Sequence, residues 1–294
     1  MKGKIQVGCL VSYDYELLKK SIPIIYQKAD TIFFAIDKKR LTWKGESFCI
    51  EESFFQWIAD FDVEKKIVIY EDDFYVPTLT TMECEIRERK MLSDKMGIGN
   101  WLIQIDSDEY FVNFEQFVSD LRKYDSYLEN PEEKQVQICV FLVMLYKYTE
   151  NGILYIDKPQ KAIFATNYPN YMLGRRTCGR QIYTNSIILH ESLSRTEEDL
   201  RFKLENWGHN TEVAEDFLTK WLTVNENNYT EYKDFHYSKP KRCKNLGFFP
   251  TKEIGEINDI IRREKKLNMS GTLLWFKNFE QRIKFFCKKV YLLL

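Results

Sequence analysis

The residues of this sequence best suited to chemistry are Asp106, Asp108 and Glu109, because a largely apolar run from Trp101 to Ile105 stops abruptly at Asp106-Ser107-Asp108-Glu109. That is the pattern of a buried strand delivering acids to a site. Side chains alternate faces along a strand, so Asp106 and Asp108 are expected on one side and Ser107 on the other. Two carboxylates on one face repel unless something cationic lies between them. A divalent metal bound to a phosphorylated substrate supplies that charge, and hard oxygen ligands suit Mg²⁺ or Mn²⁺. The plainer reading is that acidic residues end a strand by opening a turn or capping a helix.

The elements that must position these acids follow from hydrophobic periodicity. Lys4 to Val11, Thr31 to Ile36 and Lys66 to Tyr70 read as buried strands, with helices predicted over Glu16–Tyr26, Ser53–Asp60 and Thr81–Lys95. Three strand and helix units thus precede the strand that ends at Asp106. The alternation predicts parallel strands joined by right-handed crossovers, with ligand sites in the crevice at their carboxyl ends. Ser12 to Tyr15, Asp37, Asp72, Asp73 and the acids at 106–109 are expected along that edge. No Gly-x-Gly-x-x-Gly follows the first strand and no Gly-Lys-Ser/Thr loop occurs, which disfavours a dehydrogenase-type dinucleotide site and a P-loop.

Past a helix predicted over Phe114–Tyr124, the texture changes. Gln135–Tyr148 and Ile153–Ile156 flank Asn151-Gly152, a strong hairpin signal. Lys161–Thr166 and Arg180–Leu189 are further strand candidates, so this half reads as antiparallel or mixed. The best boundary lies at Asn225–Asn228, giving a domain over 1–225 and a helical extension over 226–294.

Composition narrows the function classes. With 294 residues and 44% hydrophobic content the chain can bury a full core. Lys plus Arg (43) nearly balances Asp plus Glu (44), so nothing drives the whole molecule toward nucleic acid. The seven cysteines form no Cys-x-x-Cys pair, against a zinc site or disulfide framework. The apolar run before Asp14 is too short for a signal peptide and no stretch approaches a membrane span. The simplest expectation is a reducing, cytoplasmic compartment.

The order of strand, Asp37, strand, Asp72-Asp73, basic helix, Asp106-Ser107-Asp108-Glu109, then His190-Glu191 and Trp207-Gly208-His209 resembles the inverting nucleotide-sugar glycosyltransferases of family two. The resemblance covers roughly residues 4–225. It implies the GT-A fold, a Rossmann-like mixed α/β sheet flanked by helices, and transfer of a sugar from a nucleoside diphosphate sugar to a glycan or lipid-linked acceptor. Matched residue by residue, it implies that Asp108 holds Mn²⁺ or Mg²⁺ and that Asp106 contacts the ribose or donor sugar. It further implies that Asp37 accepts from the nucleobase and that Arg87 or Arg89 faces the diphosphate, with the register between the two open. Glu191 is the implied base for the acceptor hydroxyl. His209 is the implied late metal or diphosphate contact, with His190 as competitor. The wider family more often carries an acidic pair near a Trp where this chain has a lone Glu after His.

Each residue also has a structural reading. Asp37 could end a strand in a turn, Asp72 and Asp73 read as solvated loop charges, and Arg87, Arg89 and Lys90 interleave with Glu83, Glu85 and Glu88 as surface ion pairs. Trp207 reads as core, and His236 has no assigned role. The tail, 275–294, has apolar residues at helical spacing with a cationic remainder. It is either a helix packed on the domain or one lying on a membrane surface, and a lipid-linked acceptor at the inner face of the membrane favours the second. Two other functions compete: a sugar-nucleotide or glycan-binding module that lacks the base, and a metal-dependent phosphohydrolase of the haloacid dehalogenase type. The second normally carries its Asp-x-Asp after the first strand.

Overall fold

The apolar run Ile5–Val11 forms strand β1, buried along its whole length because a central parallel strand is covered on both faces. The computed structural model describes residues 3–206, 213–239, 243–264 and 267–291. β1 lies between β2 (Thr31–Asp37) and β4 (Trp101–Asp106), and β2 carries β3 (Ile67–Asp72) on its outer side, all parallel. The intervening helices are α1 (Leu18–Ile25), α2 (Glu52–Phe61) and α3 (Thr81–Met96), and α4 (Phe114–Arg122) follows the acidic turn. β3 runs two residues further than expected and takes in Glu71 and Asp72.

α3 has the strongest local signal in the chain. Thr80 accepts from the Glu83 N–H while Glu83 accepts from the Thr80 N–H, a reciprocal capping box, and Gly97 ends the helix at φ +89°. The helix closes onto β1 at Gly8, where an added Cβ would meet Leu92 Cδ2 at 2.7 Å and Met96 Sδ at 2.9 Å. The approach fixes the inner face of α3, which buries Glu85, Glu88 and Arg89 rather than displaying them as surface pairs. Lys90, on the outer face, does form an exposed pair with Asp94 at 2.7 Å.

The second half makes the sheet mixed. β8 (Gln160–Thr166) adds antiparallel to β4, β6 (Val136–Tyr148) to β8, β7 (Ile153–Ile156) to β6 and β12 (Leu246–Phe249) to β7. β11 (Arg180–His190) runs parallel to β6 and pairs with the short β5 (Glu109–Phe111). β9 (Tyr171–Leu173) and β10 (Arg176–Thr177) form a separate two-stranded ribbon. The whole is an α/β fold with a mixed, Rossmann-like sheet flanked by helices.

The segment beyond residue 225 contributes a strand as well as helices. β12 belongs to the main sheet, and α7 (Ile254–Glu264) packs Ile257 and Ile261 against Tyr110, Val143 and Leu189. α6 (Phe217–Thr223) joins Tyr146, Phe235 and Leu246 in a third cluster. Hydrophobic clusters therefore run across the boundary expected at 225/226. A four-residue strand is too short to show periodicity, which is why β12 left no trace in the sequence pattern. None of the seven cysteines forms a disulfide among the described residues.

Candidate functional site

A cavity of about 770 Å³ opens at the carboxyl ends of β1, β2 and β4, the edge where a parallel sheet places ligands. β1 delivers Ser12 and Asp14 to it, β4 delivers Asp106 and the turn after it Ser107 and Asp108, and α3 contributes Glu85, Glu88 and Arg89. The far wall carries Lys161 of β8, Arg175 and Arg176 of the ribbon, His190 of β11 and Lys203 of α5 (Glu197–Asn206).

Asp106 and Asp108 both line the cavity, but so does Ser107, because β4 ends at Asp106 and residues 107 and 108 form a turn in which strand alternation no longer holds; each acid has its own set of cations. Asp106 Oδ1 accepts from Arg89 Nη2 at 2.9 Å, and Arg175 Nη2 stands 3.9 Å from Oδ2. Burial pushes this carboxyl upward, but Arg89 and Arg175 outweigh it and hold the group down at about 2. Asp108 Oδ2 accepts from Lys203 at 2.5 Å and Arg195 at 2.8 Å, while His190 Nε2 lies 3.4 Å from Oδ1. Burial again opposes ionisation, and Lys203, His190 and Arg195 overcome it, keeping Asp108 well below the usual carboxylate range. The repulsion between the two acids is thus relieved by organic cations.

That bears directly on Mn²⁺ or Mg²⁺. A divalent ion on Asp108 would have to displace Lys203 and Arg195 from Oδ2, because like charges at such separations repel strongly. Among the described residues no group of three or more His, Cys, Asp and Glu is arranged to hold a metal. His209, with Trp207, lies outside the described residues. The described donor set as arranged does not fit a resident divalent ion.

Glu109 completes the acidic run differently. Its carboxylate is fully buried, accepts both Arg175 guanidinium nitrogens at 2.5 and 2.6 Å, and takes the Asp106 N–H at 2.8 Å. Arg175 also donates to the Gln104 carbonyl at 3.1 Å and lies 4.1 Å over the Phe164 ring. This bidentate clamp ties the ribbon to the end of β4.

Glu191 does not line the cavity. Glu191 follows the last residue of β11, and while His190 and Ser192 on either side line the cavity, its side chain turns away. There it accepts from the hydroxyls of Tyr110 and, at 2.5 Å, Tyr148, with Lys20 Nζ at 3.5 Å. Its own N–H donates to the Asp108 carbonyl at 2.8 Å. Burial and then the Glu191 charge raise both tyrosine hydroxyls far above their ordinary range. The geometry suits a structural anchor rather than a base for an acceptor. Glu191→Gln is expected to lower stability by about 1–3 kcal/mol, the scale of hydrogen bonds to a charged group, as read by chemical denaturation.

Asp37 is also committed. Its Oδ1 accepts from the N–H groups of Lys39 (2.9 Å) and Leu41 (3.2 Å), and Oδ2 from those of Phe74 (2.9 Å) and Tyr75 (3.1 Å). Four donors fill a carboxylate's lone-pair sites, so Asp37 ties the loop after β2 to the loop after β3 and has no acceptor left for a nucleobase. Asp72 accepts from the Tyr70 hydroxyl at 2.8 Å and Asp73 pairs with exposed Lys39 at 3.1 Å, and neither reaches the cavity. Of the two arginines of α3, Arg89 lines the cavity, whereas Arg87 contacts Met91 and does not.

Glu88 lines the cavity and accepts from Trp43 Nε1 at 2.6 Å. Burial raises its carboxyl to about 8 despite Trp43 and Arg89. A raised acid favours the folded state fully below its unfolded value near 4 and loses that advantage as pH rises through 8. Glu88→Gln keeps an acceptor for Trp43 without the charge. It is expected to raise the melting temperature at pH 8 and leave it unchanged at pH 4, by scanning calorimetry.

Arg175, Arg195 and Lys203 were not singled out by the sequence pattern. Arg175-Arg176 directly after Gly174, at φ +49°, marks a basic turn that was legible in principle. Lys203 lies in a helix whose composition reads as solvent-facing, and no local signal reveals it. At the mouth, Lys161, Arg176 and Lys239 are exposed and have no ion-pair partner among the described residues. The sequence matches no protein-family model and no curated protein.

Proposed function

We propose that the chain is a GT-A glycosyltransferase moving a sugar from a nucleoside diphosphate sugar to a glycan or lipid-linked acceptor with inversion. One observation carries the reading. Asp106, at the end of β4, and Asp108, in the turn after it, line a cavity at the carboxyl edge of a parallel β3-β2-β1-β4 half-sheet, and cations surround them.

In this reading the diphosphate is bound by cationic side chains. Lys161, Arg176 and Lys239 have no carboxylate to leave among the described residues, and Lys203 and Arg195 share Asp108. Preorganised charge of this kind stabilises a departing nucleotide diphosphate in a partly enclosed site. Asp106, whose side chain is 34% exposed, is the floor carboxylate available to a ribose or sugar hydroxyl. Proton removal from the acceptor falls to a carboxylate that lines the cavity, Asp14 or Glu85, because Glu191 is held elsewhere.

The test is calorimetric titration of UDP, GDP and CDP, then their sugar conjugates, in EDTA and in Mn²⁺. One nucleotide is expected to bind in EDTA. Failure of all three under both conditions would sink the reading.

A second reading, a binding module on the same fold without turnover, is favoured by the orientation of Glu191 and by His190, whose Nδ1 is buried without a hydrogen-bond partner among the described residues. Nucleotide-sugar binding with no product from any acceptor would select it. If turnover is found, Asp14→Asn or Glu85→Gln is expected to lower it by about 10²–10⁴-fold, whereas Glu191→Gln leaves it within about tenfold.

A further inference from the structure

Among the described residues, α8 (Gly271–Tyr291) packs against the sheet through Leu274 and Asn278. Leu274 joins Cys139, Phe141 and Tyr183, and Asn278 exchanges two hydrogen bonds with the Tyr183 backbone at 2.8 and 3.0 Å. On another face Trp275, Phe276, Phe279, Ile283 and Phe286 are 66%, 60%, 47%, 49% and 67% exposed. At 3.6 residues per turn these five fall within an arc of about 100°. With Leu273 they make six of the thirteen exposed large apolar side chains among the described residues, so the exposure is concentrated rather than scattered. Trp275 and Phe279 stack at 5.4 Å with their rings nearly parallel.

Charge decides what covers this face. The helix carries Lys277, Arg282, Lys284, Lys288 and Lys289 against a single acid, Glu280, which is paired to Lys284 at 2.5 Å. By helical position Arg282 flanks the apolar arc on one side and Lys277 and Lys284 on the other. A second copy of the chain, related by a two-fold axis, would bring like-charged flanks together. An anionic lipid surface complements both parts, apolar rings in the acyl boundary and lysines among the headgroups. No helix among the described residues is long and apolar enough to cross a membrane, so α8 would lie on the surface.

We propose that α8 docks the protein on an anionic membrane, with Trp275, Phe276, Phe279, Ile283 and Phe286 inserted and the flanking basic residues at the headgroups. The helix lies beside the cavity mouth: Lys277 of α8 and Lys161 of the cavity rim stand over the same Tyr183 ring, at 5.6 and 5.9 Å. Combined with the transferase reading, on which this last step rests, the arrangement selects the lipid-linked class of acceptor, presented from the bilayer to the cavity.

The test is cosedimentation of the full chain with phosphatidylcholine vesicles, with and without phosphatidylglycerol, alongside the triple variant Phe276→Ser, Phe279→Ser, Phe286→Ser. The native chain is expected to sediment with the anionic vesicles only and to be released by salt. The triple variant, whose altered side chains are all exposed, should keep its melting temperature and lose binding by about tenfold or more. Absence of binding by the native chain, or equal binding by the variant, overturns the proposal. So does a lipid-free dimer, seen by sedimentation velocity, that the variant dissociates. Nucleotide titration of the same variant separates the two ideas: unchanged nucleotide affinity with no vesicle binding rejects the docking surface alone.

Discussion

Asp108→Asn is expected to lower stability by about 3–5 kcal/mol, because it removes the carboxylate that Lys203, Arg195 and His190 share. Arg195 keeps Asp14 at 3.0 Å, whereas Lys203 loses its one ion pair among the described residues while 9% exposed. Urea denaturation measures the loss. The pH dependence should change with it. Folded-state depression means that the contribution of Asp106 and Asp108 is present above the unfolded carboxylate value near 4 and is lost as pH falls toward 2. In Asp108→Asn that acid limb becomes shallower, and the part due to Asp106 remains.

The same variant carries the sharpest functional sign. A diphosphate bound by a metal on Asp108 would be lost in Asp108→Asn. A diphosphate bound by side-chain cations should bind more tightly, by about tenfold for one charge acting across roughly 10 Å at an effective dielectric near 20. The gain should shrink with salt, since mobile ions screen it. Calorimetry of the best nucleotide in EDTA, native against variant, reads the direction directly.

Arg175→Ala is the second large effect. It strands Glu109, whose side chain is 0% exposed, and removes the cation beside Asp106 Oδ2. Breaking a buried pair from one side costs about 3–5 kcal/mol, most of it from the uncompensated charge. Glu109→Gln in the same chain should recover much of that loss, and the double-mutant cycle should show strong coupling. Arg175→Lys keeps the charge but not the fork that meets both Glu109 oxygens, and should fall between native and Arg175→Ala. Equal, additive losses in the two single variants would show that the clamp does not hold the ribbon to β4.

Much of the fold was legible because its determinants are local. The apolar runs at Ile5–Val11, Thr31–Asp37 and Trp101–Asp106, with charged helices between them, specify parallel strands and crossovers by period alone. Thr80 and Glu83 specify the start of α3 within four residues, and Asn151-Gly152 specifies the turn between β6 and β7. The strand ending at Asp106 also fixed which edge would carry acids.

The state of those acids was another matter. Arg195 and Lys203 reach Asp108 from 87 and 95 residues away, and Arg175 reaches Glu109 from 66. Electrostatic neutralisation depends on separations of a few ångströms between side chains, and no periodicity in the chain records them. Likewise, the pair His190-Glu191 is plain in the sequence, but only the packed sheet decides that the histidine lines the cavity while two tyrosines hold the glutamate. Sequence alone thus determined the parallel half-sheet and the carboxylates at its edge, because both follow from local pattern. Which residues balance those carboxylates, and which acid is withdrawn from the site, was decided by tertiary structure, because both depend on contacts that exist only once the chain has closed on itself.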